Sequence, residues 1–134
     1  MPVLPIEAQG GERHDFEAVN LVGLSLDAVP AAGGVLIVGR HRTGVTEVRL
    51  VDRGGSLRRR VHELLRQSPA ILGGEEGSNF LGWLLMDDAK RREGVYLEVK
   101  SLHDPAAMRG GRVPRALRAT GGLPADGDQA FPTG

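Results

Sequence analysis

The sequence predicts a small domain of the α/β (α+β) class. It would hold a mixed, largely antiparallel sheet of three strands flanked by helices, with extended arms at both ends. Three observations predict this. Residues 34–39 and 80–86 are short apolar runs with the length and bounding residues of buried strands. Leu57, Val61, Leu64 and Leu65 fall on one helical stripe between them. Gly and Pro, at 20 and 8 residues, crowd towards the two ends.

The 134 residues suit one domain. Residues 1–26 read as an N-terminal arm holding at most a short strand, because two Pro and a Gly pair interrupt them. Loose alternation from Phe16 to Leu26 fits that strand or a turn. Residues 27–105 form the expected domain. Val35 to Val38, between glycines, read as its first strand, and residues 40–44 as a hairpin turn. Val48 and Leu50 are expected on one face of the second strand, opposite Glu47, Arg49 and Val51.

Ser56 is a good helix N-cap, and the helix it opens runs to Ser68-Pro69. A Gly- and Glu-rich loop over 71–79 leads to the third strand, with Trp83 at its centre. Residues 88–102 carry two patterns at once. Val95, Val99 and Leu102 are at helical spacing, whereas Val95, Leu97 and Val99 also alternate as a strand would, and Gly94 weakens a helix. Buried positions are expected at Val35, Ile37, Val48, Leu50, Leu57, Val61, Leu64, Trp83 and Leu84.

Composition narrows function by exclusion. Net charge is zero, which argues against a general nucleic-acid or membrane glue. Cysteine is absent, so there is no disulfide framework and no thiolate metal site. No apolar run reaches the length of a membrane span, and no secretory leader is legible, so the cytoplasm is the expected compartment. His14, His41, His62 and His103 match no ligand spacing, and no metal site is expected from them. Asp87-Asp88 is read as an acidic helix start.

The basic residues are unusual. Of seventeen, only Lys90 and Lys100 are lysines. Arg53, Arg58, Arg59 and Arg60 surround the start of the expected helix, where cations oppose the helix dipole. A bound anion or an acidic partner would offset that cost, and a solvated arginine face is the plainer alternative. Residues 106–134 read as an extended Gly/Pro/Arg-rich tail without a periodic apolar face. Arg109, Arg112, Arg115 and Arg118 recur at every third position, which would align them along one edge of a polyproline-like chain. Val113, Leu117, Leu123 and Phe131 would then fill small pockets on a partner.

Taken in order, Val29-Pro30, Gly34-Val35-Leu36, Val48-Arg49-Leu50-Val51-Asp52 and Gly54-Gly55-Ser56-Leu57-Arg58-Arg59-Arg60-Val61 form an arrangement. It resembles a degenerate GIY-YIG nuclease domain over residues 27 to about 105, with the element order ββαβα. The resemblance implies phosphodiester hydrolysis in an intact member: tyrosines that activate water, a helix Arg on the phosphate and a Glu that holds a divalent metal such as Mg²⁺. Here the two tyrosine positions fall at Leu36 and Leu50, and the Gly after the second falls at Asp52. The candidates that remain are Arg60 for the phosphate and Glu93 for the metal. Leucine transfers no proton, so the resemblance implies a disabled mechanism. The expected function is a non-catalytic binding or structural subunit that attaches to a protein partner or larger assembly through its arms, without a cofactor. The alternative is a divergent metal-dependent, structure-selective DNA endonuclease, with nucleic acid as partner and Mg²⁺ as cofactor.

Overall fold

A computed structural model describes residues 3–67, 78–103 and 131. The architecture is mixed α+β, but the sheet has five strands where three were expected. They are β1 (Val3–Glu7), β2 (Arg13–Asn20), β3 (Gly34–Arg42), β4 (Val45–Gly54) and β5 (Phe80–Leu85). Their spatial order is β1-β2-β5-β3-β4, and every neighbouring pair is antiparallel. Helix α1 (Leu57–Gln67) covers one face and α2 (Ala89–His103) the other, with a one-turn 3₁₀ helix, Leu26–Ala28, beside α1. Among the described residues the order from β3 onward is strand, strand, helix, strand, helix.

β1 lies where an irregular arm is expected, and β2 takes in the start of the segment where a short strand is allowed. Leu4, Ile6 and Ala8 alternate into the core, and so do Phe16 and Ala18. Pro5 is tolerated because β1 is an edge strand, where a missing N–H breaks no ladder bond. The Gly pair is the tip of a hairpin: Gly10 and Gly11 have φ of 99° and 88°, a region that side chains avoid. Pro and Gly therefore mark an edge and a turn within the sheet.

The β3–β4 hairpin turns on Thr43 and Gly44 alone, both at positive φ (52° and 81°), as a two-residue type I′ turn requires. The expected turn over 40–44 shrinks accordingly, and Arg40 to Arg42 belong to β3. Between Val38 and Gly39 the register shifts, so that Val38 faces Leu50 and Gly39 faces Val48, with Arg49 as the extra residue. This bulge rotates the strand. Val48 and Val51 pack on the α2 side and Leu50 on the α1 side, which overturns the expected shared face of Val48 and Leu50.

Two cores result, one on each side of the sheet. Leu36, Val38, Leu57, Val61, Leu64, Leu81 and Trp83 fill the α1 side. Leu4, Ile6, Phe16, Val35, Ile37, Phe80, Tyr96 and Val99 build much of the α2 side. Leu50 and Leu84 are only partly buried. Residues 88–102 resolve as helix: Asp88 caps α2 by accepting from the Lys90 and Arg91 amides at 3.0 and 3.4 Å, and Tyr96 and Val99 reach the sheet from one face. The helix end at 68–69, most of the loop over 71–79, and the tail apart from Phe131 lie outside the described residues.

Candidate functional site

The end of β4 carries Asp52 and Arg53, and the chain then turns through Gly54-Gly55-Ser56 into α1. Because side chains alternate along a strand, Asp52 is directed to the α1 side and Arg53 to the α2 side. Asp52 is nearly enclosed and accepts from Arg60 Nε at 2.6 Å through Oδ2, and from the Arg53 amide at 2.8 Å through Oδ1. Arg60 also donates to Glu63 Oε1 at 3.0 Å. On the other face Arg53 reaches both oxygens of Glu93, at 3.0 and 3.4 Å, and lies 4.0 Å above the Tyr96 ring.

The result is a continuous chain of charges, Glu63–Arg60–Asp52–Arg53–Glu93. It wraps the edge of the sheet and joins the two helices. Its carboxylates raise the pKa of both guanidiniums. For Arg53 the hydrogen bond to Glu93 is the main cause, for Arg60 that to Asp52, and partial burial opposes each. The sequence-predicted candidates Arg60 and Glu93 are thus brought into one network, through Asp52 and Arg53 rather than through a common ligand.

Arg58 serves a different purpose. It donates to the carbonyls of Val29 (2.9 Å) and Asp27 (3.3 Å) and pins the 3₁₀ turn against α1. The first amides of α1 are already used: Leu57 N–H donates to Ala32, Arg58 N–H to Pro30, Arg59 N–H to the Ser56 hydroxyl and Arg60 N–H to the Ser56 carbonyl. A helix start so occupied has no amide left for an anion. Arg59 projects into solvent beside an open groove of about 370 Å³ lined by Gly54, Gly55, Ser56, Arg59, Arg60 and Glu63. Arg109, Arg112, Arg115 and Arg118 lie outside the described residues.

Leu36 and Leu50, the positions the resemblance aligns with tyrosines, belong to the α1-side core; Leu36 is fully enclosed. Neither presents a group that titrates. Among the described residues, Glu12, His14 and Glu98 place one ligand atom each within 4.8 Å of the others, a grouping that could hold a cation. Glu12 is solvent-exposed, and His14 Nε2 lies 4.0 Å from Glu98, an ion pair whenever the imidazole is protonated.

A second constellation escaped the sequence. Asn20, His41, Phe80 and Phe131 meet at one end of the sheet, although Asn20 and Phe131 are 111 positions apart. No spacing rule links residues so distant. Burial lowers the pKa of His41, so the folded state favours its neutral ring. The stabilisation this brings is complete above the ordinary histidine value of 6.5 and is lost as pH falls through the lowered folded value. Between pH 7 and pH 5 the melting temperature of the wild type should therefore fall more than that of His41→Gln. Parallel pH profiles for the two proteins would contradict the assignment.

Compared with protein-family models, curated proteins and solved structures, the chain finds no match in any of the three.

Proposed function

We propose that this chain is a non-catalytic binding subunit, acting in the cytoplasm as part of a larger protein assembly. The observation that carries the reading is the charge chain at the β4 edge. A phosphodiester site needs guanidinium groups free to meet phosphate and a carboxylate free to hold a metal. Here Arg60 commits Nε to Asp52 and Nη1 to Glu63, and Glu93 accepts from Arg53. These groups pair with one another and join helices to sheet, which supports a structural role for them. On the GIY-YIG-like alignment, Leu36 and Leu50 stand where proton transfer would occur, and that supports the same conclusion. Attachment through the terminal segments is part of the proposal, with one qualification from the fold: residues 3–7 and 13–20 are strands of the sheet, so the proposal assigns attachment to the C-terminal segment.

The test is direct. The purified full chain, incubated with branched and linear DNA and Mg²⁺ or Mn²⁺, should leave the DNA intact. Native purification should recover it with a protein partner at fixed stoichiometry, above its own 14.3 kDa. Metal-dependent cleavage that disappears in Arg60→Ala would establish the nuclease reading instead.

A further inference from the structure

Phe131 is buried at the end of the sheet, and what holds it has the form of a receptor. The Asn20 side chain reads the Phe131 backbone on both sides: Nδ2 donates to its carbonyl at 2.9 Å, and its amide donates to Oδ1 at 2.8 Å. That pair of bonds fixes which end of the Asn20 amide is oxygen. The phenyl ring stacks on His41, with centroids 5.2 Å apart and planes 22° from parallel, and meets Phe80 edge-on at 6.1 Å.

The receptor side is held from behind. Asn79 accepts from the His41 amide at 2.8 Å and donates to the His41 carbonyl at 3.0 Å. His41 Nδ1 lies 2.8 Å from the Thr46 hydroxyl, which orients the ring. Gly39 lets β4 and Phe80 close on β3, since a Cβ there would run into the Glu47 carbonyl and come within 3.0 Å of the Phe80 ring. A site whose walls are fixed by their own bonds spends little on ordering when a ligand arrives.

We propose that Asn20, His41 and Phe80 form a recognition site for an aromatic residue together with its own backbone amide and carbonyl, and that Phe131 is its resident ligand in cis. Backbone bonds of this type supply affinity without regard to sequence, while the ring slot between His41 and Phe80 supplies the selection. An aromatic-bearing segment of a partner protein gains the site by displacing Phe131, which frees this chain's C-terminal segment at the same step. The inference deepens the binding reading above and rests on it for the existence of a partner. The experiment reads the cleft in the isolated chain, so either can fail without the other.

The probe is the acetylated peptide Gln-Ala-Phe-Pro-Thr-Gly, the sequence of residues 129–134. It is titrated into ¹⁵N-labelled full chain and into Phe131→Ala, and read at the Asn20 side-chain amide and the His41 imidazole. The variant should show saturable shifts at about tenfold lower peptide concentration than the wild type, because a tethered copy competes at an effective concentration on the order of millimolar. The same peptide with alanine in place of Phe should move neither signal. Equal isotherms for the two proteins, or no shift in the variant, would overturn the proposal. Should Phe131→Ala fail to fold, hydrogen exchange decides. The Phe131 amide should exchange slowly in the wild type and at the free-peptide rate in a folded Asn20→Ala. Free-peptide exchange in the wild type would likewise overturn it.

Discussion

Phe16→Ala is expected to lower the free energy of unfolding by about 3–5 kcal/mol, the usual cost of removing a fully buried aromatic ring. Phe16 has no exposed surface and packs among Leu4, Ile6 and Ala18 on the α2 side of the sheet. It sits on β2, which pairs with β5 on its other edge, so the cavity would open between the N-terminal hairpin and the rest of the sheet. A domain of this size has a total stability of about 5–15 kcal/mol, and the variant should be close to its unfolding threshold at 37 °C. Urea denaturation gives the measurement: the midpoint should fall while the slope is unchanged. A loss under about 1 kcal/mol, with β3–β5 signals intact, would mean that residues 3–20 are an arm laid on the domain and not part of its cooperative unit.

Asp52→Ala should be the most damaging polar substitution, at about 2 kcal/mol. Breaking a buried pair costs about 3–5 kcal/mol when the abandoned partner has no access to water. Here the Arg60 and Arg53 side chains are 30 % and 39 % exposed, and solvent relieves part of that penalty. Asp52→Asn, which keeps an acceptor for the Arg53 amide, should cost roughly half as much. Because Arg60 and Asp52 act through one bond, Arg60→Ala should add little once Asp52 is gone, and a double-mutant cycle measures that coupling. Full additivity of the two losses would show that the Arg60–Asp52 contact is not formed in solution, and would remove the main support for the binding reading.

The charge chain also explains why the Arg cluster was ambiguous in the sequence. Arg58, Arg59 and Arg60 are consecutive, yet a helix turns 100° per residue and sends them to three destinations. Arg58 meets backbone carbonyls of the 3₁₀ turn, Arg59 meets solvent, and Arg60 meets Asp52. A run of like charges suggests a common ligand only while its members are assumed to share a face. Arg53 and Glu93, 40 positions apart, are paired because β4 and α2 pack together, which is a property of the folded chain.

Local patterning was sufficient for the elements whose residues answer to one surface. The stripe of Leu57, Val61 and Leu64 made α1 legible, and the apolar runs made β3 and β5 legible, because burial on one or both faces leaves a period in the sequence. The class of the fold and the order β3, α1, β5 follow from those alone. Tertiary structure decided the rest. Pro5, Gly10 and Gly11 look alike in an arm and in an edge hairpin, and only the open edge of β2 selects the hairpin. The rival strand pattern of residues 88–102 failed because Asp88 caps a helix and the sheet has a free face for Tyr96 and Val99 to cover. The bulge at Arg49 reassigned Val48 and Leu50 to opposite cores, an effect of strand register that no single strand encodes. The Asn20–Phe131 pair lies furthest beyond the reach of sequence. A contact across 111 positions exists only once the sheet has brought Asn20, His41 and Phe80 to the same end.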